Sequence, residues 1–396
     1  MSQSEKRTEV TGTNILCFGH HGAFEGIGGS ARLINMLEIF KRLRTSTQLI
    51  SYLPDKKFGV TYERRSEYLS IRTIHVPSSL PKVIRLPALL LLLFYGLRYV
   101  GKTNVIFSHG PSIVYGLPAL ILSKIFRKPL LIDHPDIRDS DTPKFIYDSV
   151  IRNSDIVFTV SRYLEEEVKQ IGCRKVVHVP GFIDADVFQN NASERARIRK
   201  ELNIGTNEVA IGYAGAFSPH EGLSFLLKAF NSLSNRYENV KLVLVGGRNV
   251  PGSDEIVQLT NELALKGKVI LIPRQPYELM PGYLSALDIA CSPKVDCPAN
   301  RAADPIRVYE YMSVGLPVVA SAMGETSNVI ESGYDGFLVK PGDEDELKRI
   351  LEYLVQNLDS LQEVRTKARE KVIKNYSHQA TLEKIRVALE NLRGGS

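Results

Sequence analysis

The sequence has no cysteine pair spaced for a metal or redox motif, no apolar stretch long enough to cross a bilayer, and no strong excess of either charge. Its four cysteines, Cys17, Cys173, Cys291 and Cys297, are scattered without a C-x-x-C pair. Neither a zinc ribbon nor a thiol–disulfide motif is therefore readable, and reduced thiols are expected. A net charge of +6 over 396 residues is too mild for the dense basic stripe of a nucleic-acid binder, so no nucleic-acid partner is expected; it suits a small anion or an acidic membrane surface. Residues 1–13 are polar and charged, without the apolar core of a secretory signal, so a cytoplasmic location is expected. The apolar run from Leu86 to Leu97 contains Pro87 and Gly96 and falls short of the about 20 residues that a spanning helix needs. What remains is ordinary globular composition, 43% hydrophobic and 24% charged, which argues against disorder and against a disulfide scaffold. A chain of this length outgrows one core, so two domains are expected.

Short β-branched runs alternate with helical spacings, as they do in α/β folds with parallel sheets. In the first half, strands are expected at Ile15 to Phe18, Thr47 to Tyr52, Ile71 to Val76, Val105 to Ser108, Leu130 to Asp133, Ile156 to Val160 and Val176 to Val179. The rhythm restarts at Val209 to Tyr213 and continues through Lys241 to Val245, Val269 to Ile272, Ile289 to Ser292, Pro317 to Ala320 and Gly336 to Val339. The polar stretch Asp184 to Asn207 reads as the hinge between the halves, giving domains 1–185 and 186–376. Segment 80–102 has two readings, because Lys82, Arg85, Arg98 and Lys102 flank its apolar run. It is either an interfacial helix lying on anionic lipid at the inner face of the membrane or a helix packed against its own domain.

The most informative stretch runs from Asp304 to Ser321. Asp304 reads as a helix N-cap, Pro305 as the first helical residue and Gly315 as the helix stop before a buried strand. Glu310 is left over: a carboxylate inside a short helix, flanked by aromatic residues, where burial without a partner is costly. A ligand hydroxyl can be that partner.

This stretch resembles the donor-site segment of retaining GT-B glycosyltransferases of family 4. The resemblance implies two Rossmann-like domains whose parallel sheets face a central cleft, with helix 377–396 packing back on the first domain. In that family two Glu residues separated by seven others close on the donor, and the second binds the ribose hydroxyls. Glu310 falls on the second, Ala302 stands in place of the first, and Asp304 is the nearest acidic substitute. Ala303, Asp304, Ile306 and Arg307 fall with Glu310 in the donor-binding segment. The loop Gly19 to Ser30, with Gly26, Gly28 and Gly29, is similar to the one that lets backbone approach the donor phosphates. Ser108-His109-Gly110-Pro111 and Ile132-Asp133-His134-Pro135 resemble the strand ends that line the first domain's cleft. His134 matches the histidine that faces the reacting sugar, and His109 falls on the acceptor side. Gly181 stands where Asn is usual.

One departure concerns charge. The family meets the donor diphosphate with an Arg and a Lys from the loop after the first strand of the second domain. Here Ala216 and Glu221 occupy those places. His220, Arg248, Arg274 and Arg307 are the candidate replacements, Arg307 foremost because a first-turn side chain reaches a phosphate held at the same helix end. The resemblance thus implies a metal-independent, cofactor-free transfer from a nucleotide-sugar to a glycan or lipid-linked acceptor, catalysed around His134 and Glu310. Three other readings stay open: a noncatalytic nucleotide-sugar-binding subunit, a dinucleotide-dependent oxidoreductase suggested by the glycine loop, and a metal-dependent single-domain transferase suggested by Asp139-Ser140-Asp141.

Overall fold

A computed structural model describes residues 12–20, 31–55, 57–77, 85–247 and 253–394. Gly26, Gly28 and Gly29 of the glycine loop, Lys82, and Arg248, one of the expected phosphate ligands, lie outside the described residues. The chain divides into two units, Met1–Pro180 with His378–Ser396, and Gly181–Ser377. The crossing thus precedes the polar stretch expected to be the hinge. That stretch belongs to the second unit, where it forms the helix Ala192–Glu201. Its charges are structural: Arg195 and Arg199 both pair with Asp288, at 2.6 and 3.0 Å.

Among its described residues the first unit has eight strands: β1 (Asn14–Phe18), β2 (Ser46–Asp55), β3 (Gly59–Arg64), β4 (Leu69–Pro77), β5 (Val105–His109), β6 (Leu130–His134), β7 (Ile156–Thr159) and β8 (Val176–His178). They form one sheet in the order β3-β4-β2-β1-β5-β6-β7-β8. Every pairing is parallel except β3 with β4. The sequence reading lacks β3 because an edge strand contributes little to the core. Thr61, Tyr62, Glu63 and Arg64 are exposed, and Tyr62 is held from the neighbouring strand by the Arg72 guanidinium, 5.2 Å from its ring centre. The inner strands are buried on both faces, which is why they read as continuous apolar runs and not as alternating ones.

The second unit carries β9 (Val209–Ala214), β10 (Val240–Val245), β11 (Val269–Ile272), β12 (Ile289–Ser292), β13 (Val318–Ser321) and β14 (Phe337–Val339). All are parallel, in the order β11-β10-β9-β12-β13-β14. Alternate residues feed separate cores on the two faces. Ala210, Val243, Val245, Ala290 and Val318 point to one, and Ile211, Tyr213, Leu242, Leu244 and Cys291 to the other. Both sheets have the doubly wound order. The order in which the chain adds strands reverses between β1 and β5 and between β9 and β12, and ligands of open α/β sheets bind beyond the carboxyl ends of the strands at such points.

Segment 80–102 contains the helix Arg85–Val100. Ala88, Leu92 and Val100 are buried in the first unit's core. At Gly96 an added Cβ would stand 2.4 Å from the Leu122 side chain, so the helix lies close against Gly116–Phe126. Leu90, Phe94 and Leu97 form an exposed row at helical spacing on the opposite side.

Candidate functional site

In the second unit, the helix Ile306–Val314 delivers Glu310 into the protein interior, where it is 7% exposed. Burial pushes its carboxyl up to about 7, offset in part by the Tyr277 hydroxyl and by the charge of Arg307. No basic side chain forms an ion pair with Glu310 among the described residues. A carboxyl group kept this close to neutrality in the fold's interior can donate or accept a hydrogen bond, which suits a vicinal diol.

The start of this helix differs from the sequence reading. Pro305 has extended backbone angles and is itself the N-cap, with Ile306 the first helical residue. Asp304 does not cap the helix; its carboxylate accepts hydrogen bonds from the Gly181 N–H and from the Tyr309 hydroxyl. Asp304 is therefore tied to the strand-to-unit crossing because both of its neighbours there are donors. Ala303 precedes it as the C-cap of the helix Pro298–Ala302. Ile306 packs on the core of its unit.

Arg307 reaches the carboxyl end of β9, where it meets a carboxylate. Its Nη1 donates to Glu221 Oε2 and to the Tyr213 hydroxyl, each at 2.6 Å, and Nη2 donates to Glu221 Oε1 at 3.2 Å. The guanidinium also lies 4.8 Å from the Tyr213 ring centre. Gly215 makes this possible: its φ is +152°, and an added Cβ would stand 2.8 Å from the Arg307 guanidinium carbon. Although burial works to raise it, Arg307 and then Lys294 hold the Glu221 carboxyl down at about 2. His220 is half exposed and bonded to Ser218 at 3.1 Å. Arg274 is exposed just past β11, and desolvation lowers its pKa.

In the first unit the two histidines at strand ends have different surroundings. His109 Nδ1 donates to Asp133 Oδ2 at 2.9 Å. The same carboxylate accepts from Arg32 Nη2 at 2.7 Å and Nε at 2.9 Å. Burial opposes the Asp133 charge, but Arg32 and His109 outweigh it and hold the carboxyl down at about 2. With Nδ1 committed to Asp133, Nε2 is the His109 nitrogen left to meet a ligand. His134 is fully enclosed. Its Nε2 lies 2.7 Å from the Tyr147 hydroxyl, and Nδ1 has no hydrogen-bond partner among the described residues. Burial pushes its pKa down to about 4, so the ring is neutral near pH 7.

The sequence reading did not single out Arg32, Asp133 as an ion-pair partner, Lys294, Tyr213 or Tyr277. For Asp133 the signal was present: it stands at the carboxyl end of β6, paired in register with His109 of β5. Arg32, Lys294 and Tyr277 come from segments whose convergence no local pattern announces.

The model for glycosyl transferases group 1 matches residues 194–391, half of the chain. The chain belongs to this family. Among curated proteins, the GDP-mannose-dependent alpha-(1-6)-phosphatidylinositol monomannoside mannosyltransferase of Mycolicibacterium smegmatis is 25% identical over 202 residues, 49% of this group 1 chain and 51% of that protein. The chain spans about half the length, or less, of the curated relatives it matches. Sucrose-phosphate synthase from Thermosynechococcus elongatus superimposes with a TM-score of 0.79 at 17% identity, covering 97% of the group 1 chain and all of that structure. HepE of Anabaena, solved in complex with UDP, superimposes with a TM-score of 0.76 at 19% identity, covering 96% and 100%. These likenesses establish a two-domain GT-B architecture.

Proposed function

We propose that this chain is a retaining glycosyltransferase that moves a sugar from a nucleotide-sugar donor to an acceptor hydroxyl without a bound metal. The observation that carries the reading is Glu310, a buried carboxyl without an ion-pair partner among the described residues, raised to about 7 on the helix that the resemblance assigns to the donor. In this reading Glu310 binds the ribose hydroxyls of the donor. His109, its ring fixed by Asp133 and Arg32, presents Nε2 to the acceptor side. His134, which the resemblance sets against the sugar, is enclosed, neutral and held by Tyr147, so it brings no charge to the site. The departing phosphate itself takes the acceptor proton, and the protein stabilises charge through fixed donors. HepE, solved with UDP, and the mycobacterial relative, named for its GDP-mannose donor, make uridine and guanosine donors the first to test.

The deciding experiment incubates the purified chain with UDP- and GDP-sugars and an acceptor panel, with and without chelator. Product of retained anomeric configuration, formed equally in both, is the expected result. Nucleotide binding with no transfer or donor hydrolysis would instead favour a noncatalytic binding subunit. One observation favours that second reading: Ala302 stands where the resemblance places the first Glu of the donor pair.

A lipid-linked acceptor and a peripheral membrane contact through 80–102 belong to the same proposal. They are supported by the exposed row Leu90, Phe94 and Leu97, by Arg98 and Lys102 close to it in sequence, and by the phosphatidylinositol acceptor in the name of the mycobacterial relative. Replacing Phe94 and Leu97 with Asp is expected to abolish co-sedimentation with anionic vesicles while leaving the melting temperature within a few degrees. Unchanged co-sedimentation would remove the membrane contact from the proposal.

A further inference from the structure

Ligands of open α/β sheets bind where the strand order reverses, in the second unit between β9 and β12, and the loop leaving β9 supplies no arginine or lysine there. Between Gly215 and Gly222 the titratable side chains are His220 and Glu221. Cations reach the same place from two other segments. Lys294 lies two residues past the end of β12, and Arg307 stands in the first turn of Ile306–Val314. Lys294 Nζ is 3.6 Å from Glu221 Oε1, while Arg307 grips the same carboxylate at 2.6 Å.

The arrangement is braced from behind. Lys294 Nζ donates to Asn300 Oδ1 at 2.9 Å, and the Asn300 amide nitrogen donates to the carbonyls of His220 and Val295, both at 2.8 Å. Gly222, at φ +71°, brings the β9 loop against Pro293, where an added Cβ would lie 1.7 Å from the carbonyl oxygen. Two loops from adjacent strands are thereby locked together, and the lysine of one reaches the glutamate of the other. Arg307 uses both Nη1 hydrogens and one on Nη2. Its Nε–H and second Nη2–H make no hydrogen bond among the described residues.

We propose that Lys294 and Arg307, held side by side on Glu221, are the cation pair that binds the donor diphosphate. The inference rests on the nucleotide-sugar reading above and deepens it. Glu221 is a positioning residue: it keeps two like charges close together and fixes their direction before any phosphate arrives. Position 221 has thus exchanged the sign of its charge, and the cation expected there is delivered from the end of the neighbouring strand.

The test is calorimetric titration of the full chain with UDP, GDP, uridine and guanosine, for wild type, Lys294→Gln and Lys294→Arg. Lys294→Gln leaves Glu221 its Arg307 partner, so the variant keeps its fold, which a thermal melt checks. The expected result is at least a tenfold loss in affinity for the preferred diphosphate, unchanged affinity for its nucleoside, and recovery of most of the loss in Lys294→Arg. Equal diphosphate binding by wild type and Lys294→Gln overturns the pair alone, as does a parallel loss of nucleoside and diphosphate binding. A wild-type chain that binds neither diphosphate overturns the donor reading itself, and the pair with it.

Discussion

Glu310 links stability to function through one proton. The carboxyl ionises near 4.5 in an ordinary setting and at about 7 here, burial being the main cause. A raised carboxyl stabilises the fold at low pH, where both states hold the proton. As pH rises from about 4.5 the unfolded chain ionises first, so stability declines until about 7 and is then level. Integrated over that window, the loss is on the order of 3 kcal/mol. Glu310→Gln does not titrate, so its stability relative to wild type is expected to rise between pH 5 and pH 8, while its affinity for the donor nucleotide falls. Thermal melts at the two pH values check the first half, and a difference between the chains that does not change with pH would show that the carboxyl is not held near neutrality. Asp133 illustrates the opposite sign. Its carboxyl, held down at about 2 by Arg32 and His109, contributes stability that is present above the ordinary carboxylate range and lost as pH falls through about 2. Removing Arg32 leaves that carboxylate buried without its main partner, so Arg32→Met is expected to cost about 3–5 kcal/mol in denaturant unfolding at neutral pH.

At the level of elements, the helix Ile306–Val314 and the crossing at Gly181 have been fitted to one another. Where the resemblance leads one to expect Asn, an added Cβ at Gly181 would stand 2.6 Å from the Tyr309 ring and 3.2 Å from Asp304 Oδ2. Tyr309 has taken the space, donates its hydroxyl to Asp304 at 2.7 Å, and packs on Tyr376 with ring centres 4.8 Å apart. Gly181→Asn is therefore expected to destabilise by about 1–3 kcal/mol through overpacking. In the Tyr309→Ala background the same change is expected to cost less, a coupling of at least about 0.5 kcal/mol. Additive effects in that double-mutant cycle would show that the two positions do not compete for one volume.

Across the whole molecule, the first unit is discontinuous in sequence while the second is a single stretch. The helix His378–Gly394 buries Leu382, Ile385 and Leu389, and His378 Nε2 lies 3.1 Å from Asn35 Oδ1 of the helix Ala31–Arg42. Deleting residues 378–396 is expected to lower hydrogen-exchange protection in β1 to β8 and leave β9 to β14 protected. Loss of protection in both sheets would show that the closing helix is not specific to the first unit.

Thirteen of the fourteen strands among the described residues were readable from the sequence because strands of parallel sheets carry continuous apolar runs; the exposed antiparallel edge strand β3 has no such run. Glu310 stood out as a carboxylate in an apolar helix, which local chemistry alone flags. The helix cap at Asp304 was misread because Asp before Pro is a general capping signal, whereas here the carboxylate is drawn to Gly181, 123 residues away in sequence. The same holds for charge. Local sequence showed that position 221 lacks a cation, but only the folding of two loops against each other brings Lys294 and Arg307 to it. Periodicity and composition act between near neighbours, so the sequence by itself determined the elements, their α/β order and the family resemblance. Buried charges select partners by distance in space, so the tertiary structure alone decided which cation meets which carboxylate.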